Sequence, residues 1–320
     1  MSLRHLVPFV VSALALIAVF TLTDFDALRG LAFRVRWDQL PGVALLTLAI
    51  VCAFGLRWRT LVREALPIPR SVLVCALGIA GNQLLPLRGG DALRVVLSTR
   101  GTRAPSLHAG VSAIALEKVF DLVAVAGFAL ISASALIGAR DGATRFIVFA
   151  VAGAVVIIAV MILLLARSGL LTTAIRNLSR VLCMRPRLYR HLFRPLHHLR
   201  HLTSPGRVAV LLIQTAFIWM VLYVLAYLAI AKFVGIHLTV ADTTVLLCAG
   251  ALGVAIPAAP SGLGTFHAAI ISAFWILGRP VTEGLVLAVA IHGVFFVGFC
   301  IIGAVALVYA THKLGPVRLP

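Results

Sequence analysis

The scarcest commodity in this sequence is charge, and acid above all. Of 320 residues, only 12% are charged and Asp plus Glu number 10. A soluble domain carries about 25% charged residues and is about half apolar. Here 62% of the residues are hydrophobic and the mean hydropathy is +1.09. Too little polar surface exists to wrap such a body in water, so a soluble enzyme is excluded and an integral membrane protein is expected. Cysteine is also sparse. The five cysteines, Cys52, Cys75, Cys183, Cys248 and Cys300, form no CxxC pair, and they read as small packing residues within apolar surroundings.

Other absences narrow the chemistry. The sequence has no GxSxG, no P-loop and no GxGxxG, which leaves a serine hydrolase, an ATP motor and a dinucleotide enzyme without support. His197-His198-x-x-His201 places two imidazoles four residues apart, yet Cys183 is the nearest thiol and no carboxylate accompanies them. A zinc site needs more ligands than that, so no metal and no cofactor is expected. Asp24-Phe25-Asp26 is a lone DxD, of the kind metal-dependent membrane glycosyltransferases carry, and equally a solvated turn.

What is abundant is base. Lys plus Arg number 28, giving a net charge of +18. No nucleic-acid motif accompanies them, and the basic residues fall between apolar runs. There they act as orientation signals and contacts for anionic lipid head groups. The expected partners are therefore anionic membrane lipids, with no nucleic acid.

A helix needs about 20 apolar residues to cross the hydrocarbon core. Runs that qualify are Leu6 to Leu22, Leu40 to Leu56, Phe120 to Ile137, Phe146 to Ala166, Val208 to Ala231 and Leu285 to Ala310. The first follows Arg4 like a signal peptide, but it is long and leads into Asp24 rather than a cleavage site, so it is read as a retained span. Two further runs are too short. Ser71 to Leu85 ends at Pro86-Leu87-Arg88-Gly89-Gly90. Ala241 to Ile256 ends at Pro257-Ala258-Ala259-Pro260-Ser261-Gly262-Leu263-Gly264, and a short run, Thr265 to Leu277, follows.

The stretch Arg167 to Arg207 contains nine arginines and no acid, which assigns it to the cytoplasm. Its leucines and arginines also suit an amphipathic segment at the membrane surface. Counting spans outward places Arg57, Arg59, Arg63 and Arg70 on the same side, along with Arg94, Arg100 and Arg103. The count closes only if the two short runs enter and leave on one side each. The predicted fold is thus all-α and membrane-embedded, with about six transmembrane helices plus two re-entrant helical hairpins in an inverted repeat. It forms a single membrane domain over residues 1–320, with halves at about 40–138 and 207–312 and the basic loop at 167–207. Both termini are expected in the cytoplasm, at the plasma or inner membrane. Paired Gly/Pro-broken segments in two halves point to a binding site between them, although two Pro-kinked helices would give the same pattern.

Within that frame few residues can carry chemistry. Glu117 and Asp121 lie one helical turn apart at the start of an apolar span, where ionisable groups are costly. They either couple a proton or cation, or form structural ion pairs with Arg88 or Arg94. Arg88 and Arg94, with the backbone around Gly89 and Gly90, could cradle a phosphate, or merely sit at head-group depth.

These residues resemble a known family. Asn82-Gln83-Leu84-Leu85-Pro86-Leu87-Arg88-Gly89-Gly90-Asp91-Ala92-Leu93-Arg94 is similar to the N-x-x-x-P-x-R-x-G-E-x-x-R motif of the lysylphosphatidylglycerol synthase transmembrane, flippase-like family. Glu117-Lys118-x-x-Asp121 resembles its E-R-x-x-D element. The stretch from Pro257 to Ala268 resembles P-x-x-P-G-G-L-G-x-x-E-A. The departures are Asp91 for Glu, Lys118 for Arg, Ser261 for Gly and His267 for Glu, the last of which removes an acid. The resemblance implies a lipid-handling membrane domain. In some members it is fused to an aminoacyl-transferase domain, for which this chain is too short.

The expected function is a transporter or flippase for an anionic phospholipid or lipid-linked substrate. The rivals are a polyprenyl-phosphate-dependent glycosyltransferase and a membrane scaffold that transports nothing. The expected substrate-binding residues are Asn82, Pro86, Arg88, Gly89, Gly90, Asp91, Arg94, Glu117, Asp121, Pro260, Gly262, Gly264 and His267. No catalytic residue is expected.

Overall fold

The computed structural model describes residues 35–85, 88–100, 104–135, 204–255 and 260–314. The predicted spans Leu6 to Leu22 and Phe146 to Ala166, the DxD and nearly all of the arginine-rich loop lie outside these residues. The described residues are helical, without strands. The helices are α1 (Leu40–Leu61), α2 (Ile68–Leu84), α3 (Gly89–Ser98), α4 (Leu107–Ala135), α5 (Pro205–Phe233), α6 (Val240–Ala255), α7 (Thr265–Ile276) and α8 (Val281–Leu314).

Among the described residues, three helical stretches are long and apolar enough to cross a membrane: Trp37–Leu61, Pro205–Phe233 and Val281–His312. The predicted span Phe120 to Ile137 falls, as far as Ala135, in α4, which starts earlier, at Leu107. The sequence pattern hides that start because Glu117 and Lys118 break the apolar run, and both are absorbed by ion pairs.

Local chemistry sets the ends. Proline stands in the first turns of α1, α2 and α5, where its missing N–H costs nothing. Helix α5 closes with Gly235 at φ 73°, the N–H of Ile236 donating to the Ala231 carbonyl at 2.8 Å. Helix α7 closes likewise at Gly278, with Arg279 N–H donating to Phe274. Both are left-handed caps that satisfy orphan carbonyls.

The short helices α2 and α3 fold back on each other, and so do α6 and α7. Both hairpins depend on glycine. A Cβ on Gly78 would lie 2.8 Å from the Arg94 Cβ, and one on Gly81 would lie 2.9 Å from the Gly90 Cα. In the second hairpin, a Cβ on Gly253 would lie 2.8 Å from both the Ala269 Cβ and the Thr265 carbonyl oxygen. Apolar surface gains little by leaving lipid, so helix association there rests on close van der Waals approach, and small residues permit it.

The ends of the hairpins point in opposite directions. The Arg70 guanidinium donates to the Arg100 carbonyl, so α2 begins where α3 ends, next to the close of α1. Arg279, just after α7, bonds to Asp242 at the start of α6 at 3.1 Å. That second junction lies at the far end of the bundle. The helices agree. Arg36 N–H, before α1, donates to Phe233 C=O at the end of α5 at 2.7 Å, and Gln214 near the start of α5 donates to Thr60 near the end of α1. Helices α1 and α5 are therefore antiparallel.

Helix contacts also link the two hairpins. Helix α8 packs on α2 and α4 packs on α6, with Ser132 and Thr244 hydroxyls 3.4 Å apart at the latter seam. One buried core surrounds the second hairpin, with Leu246, Ile270, Phe274 and Leu287 among its members. Another surrounds the first, with Trp58, Cys75, Leu116 and Phe120. Ile50, Val51, Ala76, Leu222 and Phe299 join the two.

Candidate functional site

A cavity of about 590 Å³ opens between the two hairpins, within the ~300–1,000 Å³ typical of small-ligand sites. Its lining is segregated. One pole is charged, one wall is aromatic, and the opposite pole is formed by the turn before α7.

The charged pole is assembled by α1, α3 and α4. The Arg57 Nη1–H donates to Asp121 Oδ1 at 2.7 Å and to Thr215 Oγ1 at 3.2 Å. Its Nη2 lies 3.6 Å from Glu117. Arg94 Nη2–H donates to Glu117 Oε1 at 2.9 Å, and its guanidinium sits over the Trp58 ring, 4.3 Å from the centroid. Arg57 is 0% exposed and Glu117 2% exposed. Charges so buried persist only when paired and hydrogen-bonded. Glu117 is paired with Arg94, one of the two partners the sequence offered, and Asp121 is paired with Arg57, which was not among them.

Asp91 completes the acid set. The Asn82 side chain donates to its Oδ1 at 3.0 Å and accepts from its backbone N–H at 3.1 Å, which clips the start of α3 to the end of α2. Lys118 Nζ hovers 3.6 Å from Asp91, 3.6 Å from Glu117 and 4.0 Å from Asp121, and it is 38% exposed. It is held by three carboxylates and fixed to none of them by a short hydrogen bond.

Arg88 differs from all of these. It caps α3 with left-handed backbone (φ 56°, ψ 41°), is exposed and lines the cavity. Among the described residues no acid pairs with it. A non-glycine residue held in this region is strained, and such strain gathers at ligand sites. Ser261 (φ 57°) is its counterpart in the other hairpin. It too lines the cavity, with its Oγ 3.1 Å from His292 Nε2. The His292 ring lies against that of His267, centroids 4.9 Å apart.

The aromatic wall comes from α5 and α8. Residues Phe217–Tyr223 form a π-helical turn in α5, a distortion frequent at functional sites. It brings Trp219 and Tyr223 to the cavity, their rings stacked at 5.0 Å. Trp219 Nε1–H donates to Asp121 Oδ1 at 3.0 Å, so the wall is bonded to the charged pole. Phe295 and Phe299 continue it on α8.

Of the residues expected from sequence, Asn82, Arg88, Asp91, Arg94, Glu117, Asp121 and Gly262 all line this one cavity. Others do not. Gly90 is buried against the backbone of Gly78, Gly81 and Asn82, so it permits helix contact rather than approach of a ligand. Gly89 is outside the lining, and Gly264 shapes the turn before α7 at φ 90°. His267 is buried behind His292. Pro86 lies outside the described residues, and Pro260 enters only as the first residue of the turn Pro260–Gly262.

Sequence reasoning missed Arg57, Trp219, Tyr223 and His292, and named Lys118 only as part of the Glu117-Lys118-x-x-Asp121 element. Arg57 was read as a topology signal, yet it is the most deeply buried cation of the set. One signal pointed to it: two carboxylates one turn apart in an apolar helix call for two cations.

The family model for the lysylphosphatidylglycerol synthase TM region matches residues 6–303. The comparison with curated proteins gives no match.

Proposed function

The chain belongs to the lysylphosphatidylglycerol synthase transmembrane family, and from that premise we propose that it is a transporter or flippase for an anionic phospholipid or lipid-linked substrate. The observation that carries this reading is the segregated cavity between two oppositely directed hairpins. A charged pole and an aromatic wall in one space match an amphiphile, and the volume suits a head group rather than two acyl chains. Arg88 is the cation that meets the phosphate, since among the described residues it has no acidic partner, while Arg57, Arg94 and Lys118 are engaged with acids. The hairpins act as re-entrant halves of an inverted repeat, with tips at mid-depth, because irregular backbone inside a bilayer needs a protein or wet lining. Both termini face the cytoplasm of the cell membrane, as the arginine distribution requires.

The test is reconstitution into liposomes carrying tail-labelled fluorescent phosphatidylglycerol, with dithionite added outside. A transporter makes the inner-leaflet label accessible, so quenching passes the protein-free plateau. Quenching that stops at that plateau, with protein shown to be folded and inserted, would end the transport reading.

A further inference from the structure

We infer that Ser261 and His292 form a nucleophile–base dyad that takes an acyl group from a carboxylic ester held in the cavity, an activity distinct from transport. The first support is the hydrogen bond itself. Ser261 Oγ lies 3.1 Å from His292 Nε2, within the reach a base needs to take a serine proton. Both side chains line the cavity. The second support is the backbone of Ser261, left-handed at φ 57° and ψ 9°. A non-glycine residue is held there only at a cost, and the serine of a hydrolase elbow stands on such a strained turn before a helix. Here the helix is α7, which starts at Thr265. The Thr265 hydroxyl closes the turn by donating to the Gly262 carbonyl at 3.2 Å. The sequence carries no GxSxG, so the pair appears only when α8 brings His292 to the turn.

The third support is how the imidazole is held. Its ring packs against those of His267, Phe266 and Phe296, with centroids at 4.9, 5.9 and 6.4 Å. Three rings thus fix its orientation, the task a carboxylate performs in a triad. Among the described residues no carboxylate pairs with His292, so the assembly is a dyad. Helix α8 also brings Phe295 and Phe299 to the cavity, on the same face as His292, where an apolar acyl group can lie.

The step balances within the site. Ser261 Oγ bonds to the ester carbonyl carbon as its proton passes to His292 Nε2. The donors for the oxyanion are backbone N–H groups at the start of α7, where the N-cap Gly264 has no side chain to occupy them. The bond from that carbon to the alcohol oxygen then breaks, and the alcohol leaves with the proton from His292. Water attacks the acyl-serine with His292 as base, which releases the acid and restores the hydroxyl. An ester fits better than an amide, because an alcohol departs more readily than an amine and no carboxylate strengthens this base.

The experiment treats the purified full chain in detergent with a fluorescent fluorophosphonate, which bonds covalently to activated serines, and maps the labelled peptide. The substrates are p-nitrophenyl butyrate, a soluble ester, and dioleoylglycerol in mixed micelles, a lipid ester. Whichever is cleaved names the source of the acyl group. The label should map to Ser261, and p-nitrophenol should appear in a burst of about one per chain. S261G should abolish both. Glycine accepts the left-handed backbone without strain, so this variant should keep or raise the unfolding temperature, which separates lost chemistry from misfolding. H292Q, which can still hydrogen-bond to Ser261 but cannot take its proton, should slow labelling and cleavage by ~100-fold or more. Label on another residue, cleavage of neither ester beyond the rate of S261G, or an unimpaired H292Q would overturn the inference and leave a structural hydrogen bond. The quenching assay reads none of these outcomes, so the dyad and the transport reading stand or fall separately.

Discussion

Arg57 and Asp121 stand 64 positions apart in the chain and meet at 2.7 Å, with the arginine fully buried. The pair fastens α1 to α4 beside the cavity, and Trp219 of α5 donates to the same carboxylate oxygen. Three helices converge on one oxygen atom.

Removing one partner therefore leaves a buried charge alone. Arg57→Met should destabilise the protein by about 3–5 kcal/mol, seen as a lower unfolding temperature in detergent. Arg57→Met combined with Asp121→Leu should recover most of that loss, because apolar residues replace both charges. A double variant no better than the single one would contradict the pairing.

The pairing also predicts which residues couple. Double-mutant cycles should give about 1–3 kcal/mol for Arg57 with Asp121 and for Arg94 with Glu117. Either pair combined with Arg279→Ala, at the far end of the bundle, should be additive within about 0.5 kcal/mol. Strong coupling to Arg279 would mean that the hairpin bases communicate with the charged pole.

Glycine contacts separate two kinds of glycine. Gly90→Ala drives a methyl into the Gly78 carbonyl and the Asn82 backbone, so it should open the α2–α3 hairpin and lower the unfolding temperature. Gly42→Ala meets nothing within 4 Å and should be neutral or stabilising by about 0.5–1 kcal/mol. Equal effects of the two would refute the close-packed hairpin.

Hairpin direction is testable from outside the cell. In a cysteine-free background, Glu64→Cys beside the base of the first hairpin should react only from the cytoplasm. Pro280→Cys beside the base of the second should react with an impermeant maleimide from outside. Labelling of both from the same face would refute the inverted arrangement.

Much of this was legible in the chain itself. Composition excludes water as the solvent, and the Pro and Gly clusters around Arg88 and Ser261 mark where two short helices must break. These follow from sequence because hydropathy and backbone preference are properties of a residue and its near neighbours. The two acids of α4 were equally visible, since so few acids exist.

What the chain alone left open was who neutralises whom. Arg94 read as a phosphate ligand and Arg57 as a topology signal, and in the fold both are hydrogen-bonded to carboxylates, while Arg88 has no acidic partner among the described residues. His292 gave no signal until α8 laid it against Ser261, 31 positions away. An arginine's role depends on whether an acid lies within about 4 Å of it. Only the packing of helices far apart in sequence sets that distance.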